Sequence, residues 1–185
     1  MADRAKLLKR LSISRSIVLI GLMGAGKSRI GKDLATKMGF SFVDSDDEII
    51  KAAGCSIADI FELYGERAFR DLEERVTLRL LSNKVQVIAT GGGAFMNTKI
   101  RKAIRKQGIS IWLKAELNVL VERTSRRKNR PLLASEDPVI TLKKLMDERY
   151  PVYGKADIIV DTQDTLIDET VNATVDALAV YIKKK

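Results

Sequence analysis

Two hydrophobic rhythms alternate along this chain. Short apolar runs rich in β-branched residues, at 16–20, 40–44, 85–90, 109–113 and 157–161, predict strands. Between them apolar residues return at helical spacing, as in Ile30, Leu34, Ala35 and Met38, which stop at Gly39, a residue suited to a helix C-cap. The same reading predicts helices over 27–38, 46–53, 56–64, 66–82, 97–107, 116–126, 138–149 and 166–182. Ser56 with Asp59 three residues on forms a capping box, Asn97 caps the basic helix that runs to Gly108, and Asp137 precedes a proline at the first helical position. Buried strands separated by helices imply an α/β fold, a parallel sheet covered on both faces. Right-handed crossovers bring the C-terminal ends of such strands to one edge, where ligands bind.

The strand ends therefore carry the chemistry. After the first strand, residues 21–28 read Gly-Leu-Met-Gly-Ala-Gly-Lys-Ser, the G-x-x-x-x-G-K-S phosphate-binding loop, leading directly into a helix. Its backbone N–H groups and the helix N-terminus favour phosphate, Lys27 adds a mobile cation, and Ser28 offers a hydroxyl to Mg²⁺. This combination predicts binding of a nucleoside triphosphate. After the second strand comes Asp44-Ser45-Asp46-Asp47-Glu48: one carboxylate for a hydrated Mg²⁺, another two residues on to accept a proton. Asp and Glu are also favoured in first helical turns, so this segment alone is weak. After the third strand, Gly91-Gly92-Gly93 allows close backbone approach to a ligand. Arg70 and Arg149 fall on separate helices, where either alone reads equally as a surface or ion-pair arginine.

Composition narrows the classes. The 185 residues suffice for one domain with a buried core, and no apolar run approaches the length of a membrane span. Residues 1–15 form a basic extension, Arg4, Lys6, Lys9, Arg10 and Arg15 against Asp3, and 16–185 form the domain. Cys55 is the only cysteine, which excludes an intramolecular disulfide and fits a reducing compartment; a cytoplasmic protein is expected. The net charge of +9 attracts anions, yet aromatics are too few among the basic residues for a nucleic-acid surface. With no histidine in the chain, a proton acceptor must be a carboxylate, a shifted lysine or water.

The order of these motifs resembles the shikimate kinase family: G-L-M-G-A-G-K-S at 21–28, D-S-D at 44–46, Ser56–Glu62, G-E-x-x-F-R at 65–70, T-G-G-G at 90–93, R-P-L-L at 130–133 and E-R-x-P-x-Y at 148–153. The resemblance covers roughly residues 16–181. It implies a P-loop three-layer fold of the nucleoside-monophosphate-kinase kind, with sheet order 2-3-1-4-5. A substrate-binding segment near 45–75 and a closing lid near 124–136 go with it. The implied reaction is Mg²⁺-dependent transfer of the γ-phosphoryl of ATP to the 3-hydroxyl of shikimate, by a monomer with neither nucleic acid nor membrane as partner. Carried over by position, Gly24, Ala25, Gly26, Lys27, Ser28, Arg29, Arg123 and Arg130 face ATP, and Ser28 and Asp44 the metal. Asp46, Arg70, Gly91, Gly92, Gly93 and Arg149 face shikimate, with Lys27, Asp46 and Arg130 catalytic. Shikimate is a carboxylate bearing hydroxyls, which paired arginine N–H groups grip in a way lysine does not. Arg29 and Gly154-Lys155 depart from the usual family residues, and 161–166 matches poorly. Other readings are a kinase for gluconate or a nucleotide, and an ATP-binding protein without transferase activity; a nucleic-acid role rests on charge alone.

Overall fold

The computed structural model describes residues 13–125, 137–162 and 166–184. Strands β1 (Ser16–Ile20), β2 (Ser41–Asp44), β3 (Gln86–Ala89), β4 (Gly108–Lys114) and β5 (Ile158–Asp161) pair in parallel in the order β2-β3-β1-β4-β5. Ile17 lies beside Val87 on one side and Ile109 on the other, so β1 is the central strand. All five of its residues are buried, as a strand covered on both faces must be.

The helices are α1 (Lys27–Met38), α2 (Ser45–Ala53), α3 (Ile57–Ser82), α4 (Thr98–Gln107), α5 (Leu117–Ser125), α6 (Pro138–Tyr153) and α7 (Ile167–Lys183). α1 packs with α7, α3 with α4, and α5 with α6. Buried Leu19, Leu34, Ile88, Ile111, Leu120 and Val175 belong to the shared core. The expected caps form: Gly39 ends α1, Ser56 and Asp59 exchange the capping-box hydrogen bonds, and Asn97 and Asp137 cap α4 and α6. Among the described residues no helix is long and apolar enough to cross a membrane.

Two elements differ from the sequence reading. The helices expected at 56–64 and 66–82 run on as α3, with the break confined to Gly65, whose φ of 78° and ψ of 173° are non-helical. The Phe61 and Phe69 rings, 4.6 Å apart, pack together across that break. α6 continues past the expected end at 149 and takes Pro151 into its last turn, although proline removes a helical hydrogen bond. Its end is anchored instead by side chains: Tyr150 donates to the Ala115 carbonyl, Tyr153 to the Gly92 carbonyl, and both rings pack edge-on to Trp112. Most of the basic extension, Arg130 and most of the segment expected as a lid lie outside the described residues.

Candidate active site

The phosphate loop begins where β1 ends. Gly21, Gly24 and Gly26 all take positive φ, and Gly26 is the residue from which α1 starts. At φ 90° and ψ 12° a side chain at 26 would strain the turn that aims the N-terminus of α1 into the loop. Gly24 is also pressed by α5: a β-carbon there would lie 3.1 Å from Thr124 Cγ2 and 3.3 Å from the Leu120 carbonyl. The helix carrying Arg123 thus borders the loop. Ala25 is buried beneath it. Lys27 Nζ donates to the carbonyls of Gly21 (2.9 Å) and Leu22 (3.0 Å), curled over its own loop. Arg29, by contrast, pairs with Asp33 one turn along α1 with most of its side chain in solvent.

Ser28 Oγ donates to Asp44 Oδ2 at 2.6 Å, which joins the start of α1 to the end of β2. The other oxygen, Oδ1, accepts from the Asp46 backbone N–H at 3.0 Å and caps α2. β2 stops at Asp44, so strand alternation does not align the two acids; Asp46 stands in the first turn of α2. A hydroxyl and a carboxylate oxygen in contact are hard donors suited to Mg²⁺. Among the described residues no group of three or more acidic, His or Cys side chains could hold a metal. Burial first, then the charge of Asp44, raises the Asp46 carboxyl from 3.8 to about 6, against the pull of Lys27.

The third strand end closes the site. Gly91 accepts no side chain without conflict: its β-carbon would fall 2.8 Å from both Asp46 Oδ1 and Glu73 Oε1. At Gly92 the neighbour is Arg149 Nη1, 3.2 Å from such a carbon, and at Gly93 the carbon would overlap the Arg70 guanidinium. Three consecutive glycines therefore let two arginines and two carboxylates crowd the backbone. Arg70 is fixed by Glu66 (3.0 Å) and by Glu73 (2.9 Å), whose own carboxyl burial pushes up although Arg70 offsets it. Glu73 Oε1 and Arg149 Nε are buried with no hydrogen-bond partner among the described residues.

The shikimate kinase family model matches residues 23–179. The chain belongs to the shikimate kinase family. A shikimate kinase of Mesorhizobium japonicum is 54% identical over 160 residues, 86% of this chain and 78% of the relative. A solved shikimate kinase from Acinetobacter baumannii in complex with shikimate superposes with a TM-score of 0.88 at 36% identity, covering 96% of this chain and 98% of that one. A gluconokinase from Sinorhizobium meliloti, at TM-score 0.63 and 19% identity, shares the fold alone.

Within this member of the shikimate kinase family, the structure gathers Lys27, Ser28, Asp44, Asp46, Arg70, Gly91, Gly92, Gly93 and Arg149 at one edge of the sheet, with Arg123 on the helix bordering the phosphate loop. Sequence reasoning passed over Glu73, Tyr153 and Ser45, whose Oγ accepts the Gly91 N–H at 3.0 Å. Glu73 did leave a signal. Phe69, Val76 and Leu80 are buried at helical spacing, and position 73 completes that stripe with an acid.

Proposed function

We propose that the chain transfers the γ-phosphoryl group of ATP to the 3-hydroxyl of shikimate, giving ADP and shikimate 3-phosphate. The observation that carries this reading is the pairing of Arg70 with Gly93 and Arg149 with Gly92, beside Asp46 and within reach of the phosphate loop. Two arginine forks against bare backbone suit a small anion such as a carboxylate rather than an uncharged sugar. Asp46 accepts hydrogen bonds from the acceptor's hydroxyls. With a carboxyl near 6 it is mostly ionised at neutral pH, yet basic enough to take the proton released as the oxygen–phosphorus bond forms. The bond from the γ-phosphorus to the bridging oxygen breaks at the same stage, and ADP leaves carrying that electron pair.

The P-loop amides and Lys27 hold and neutralise the phosphates, for which Lys27 exchanges its contacts with Gly21 and Leu22. Ser28 and Asp44 are the residues that would hold Mg²⁺. Bound there, Mg²⁺ supplies charge neutralisation and orientation at the outer phosphates. Arg123, from the helix against the loop, is assigned to the nucleotide. Arg130 and the lid over 124–136 keep the roles the resemblance gives them, phosphate contact and exclusion of water. A monomer working in the cytoplasm is the form of the enzyme this reading takes.

Purified protein with ATP and Mg²⁺, offered shikimate, gluconate and AMP in turn, tests this reading by ADP release. Saturable release with shikimate, at least about a hundredfold above the others, is expected, since an anion of different shape held by the arginines misplaces its hydroxyl from the phosphorus. Equal or faster release with gluconate or AMP contradicts it.

A further inference from the structure

Tyr153 is fully buried at the last position of α6, one helical turn after Arg149. Its ring has a packing role among Phe95, Trp112 and Tyr150, whose centroids lie 6.4, 5.9 and 6.1 Å away. Its hydroxyl does something the packing does not require. The O–H donates to the carbonyl of Gly92, and Arg149 flanks the same glycine: a β-carbon at Gly92 would stand 3.2 Å from Arg149 Nη1 and 3.9 Å from the Tyr153 oxygen. A phenol has one proton and two lone pairs, so while it donates to Gly92 its oxygen still offers an acceptor toward the neighbouring guanidinium. Burial, partly offset by Arg149, pushes the phenol up to about 12, so it stays a donor at any working pH.

The two groups beside this hydroxyl come from different segments. Gly92 belongs to the loop after β3, and its position is bounded on the other side by Gly21, whose carbonyl oxygen lies 3.6 Å from where a Gly92 β-carbon would stand. Arg149 belongs to α6, and its Nε finds no partner among the described residues. A long side chain with an unmet buried nitrogen needs a fixed point if its fork is to meet a carboxylate in one geometry.

We propose that Tyr153 is a positioning residue for the acceptor site, its hydroxyl setting the Arg149 guanidinium and the Gly92 backbone in register. This rests on the reading of Arg149 and Gly92 as shikimate-binding groups. Tyr150 is the internal control: it sits on the same helix and in the same ring cluster, but its hydroxyl donates to Ala115, away from the glycine loop.

The experiment is steady-state kinetics on the wild-type enzyme, Tyr153→Phe and Tyr150→Phe, with shikimate and ATP varied separately and a thermal melt of each. Loss of one buried hydrogen-bonded hydroxyl is expected to raise the shikimate KM of Tyr153→Phe by about tenfold. Its kcat and ATP KM stay within about twofold, and Tyr150→Phe resembles wild type, because their contacts to the acceptor are untouched. An unchanged shikimate KM in Tyr153→Phe overturns the proposal, as does an equal rise in both KM values or the same rise in Tyr150→Phe. Loss of a cooperative melt in Tyr153→Phe overturns it too, by making the hydroxyl a requirement of folding. If wild-type enzyme itself ignores shikimate, the substrate assignment fails instead, and the two failures are told apart.

Discussion

The proposed nucleotide half and the proposed acceptor half of this site are built on opposite plans. The first comes almost entirely from one stretch, 21–28, whose glycines take positive φ and offer bare backbone. Its side chains rest in satisfied contacts: Lys27 on two carbonyls of its own loop, Ser28 on Asp44. The acceptor half draws on α2, α3, the loop after β3 and α6, and its surface is charge. There Glu73 Oε1 and Arg149 Nε remain buried and unmet among the described residues. Buried polar atoms without partners are rare and costly, and at a site they mark groups held ready for a ligand. Binding on the nucleotide side exchanges one set of hydrogen bonds for another. On the proposed acceptor side, two buried polar atoms stand without partners among the described residues before any ligand arrives.

The largest effect belongs to the nucleotide half: Lys27→Ala should cost about 10³ in kcat, the loss of one preorganised group facing the transferred charge. Single-turnover kinetics check it, and a rate within a few-fold of wild type would remove Lys27 from the phosphate site. Next comes Asp46→Asn, at the seam between the halves. It keeps the size and loses the basicity, so kcat should fall by about 10² with a smaller change in shikimate affinity, the modest figure reflecting a loose transition state. In wild-type enzyme the rate should decline with acid below about pH 6, where Asp46 takes up its proton.

Gly93→Ala probes crowding alone. Its β-carbon meets the end of a flexible arginine, so Arg70 swings aside and the fold survives. The shikimate KM should rise about tenfold from a displaced ion-pairing group, with the ATP KM steady. A rise in the ATP KM instead would merge the halves that the structure separates. The smallest effect is on stability. The Asp46 pKa is about 6 in the folded state against 3.8 as a model group, so between those values the native protein binds the extra proton. Stability is then fully present below the lower value and declines as pH rises toward the upper one. Asp46→Asn should therefore melt roughly 2–4 °C higher than wild type at pH 7. A lower melting temperature would mean that the ionised carboxylate is a stabilising partner.

Much of the fold was legible because its signals are local. The five apolar runs, the caps at Gly39, Ser56, Asn97 and Asp137, and the P-loop are each written within a few consecutive residues. The acceptor half was legible only in pieces, since an arginine on a helix looks the same at a surface or in a cleft. Glu73 was visible as an acid in an apolar stripe, but its partners lie in other segments. The continuation of α6 past Pro151 was not visible at all. Local propensity ends the helix there, and tertiary contacts of Tyr150 and Tyr153 override it.

In the proposed site, arginines at the glycine loop read the acceptor's carboxylate while the P-loop reads ATP. Calorimetric titration of shikimate and of ATP, separately, into wild-type and Arg149→Lys protein tests it most directly. The substitution keeps the charge and removes the planar fork, so shikimate affinity should fall by about tenfold or more while ATP affinity stays within about twofold. Weakened ATP binding with shikimate binding unchanged would contradict the account.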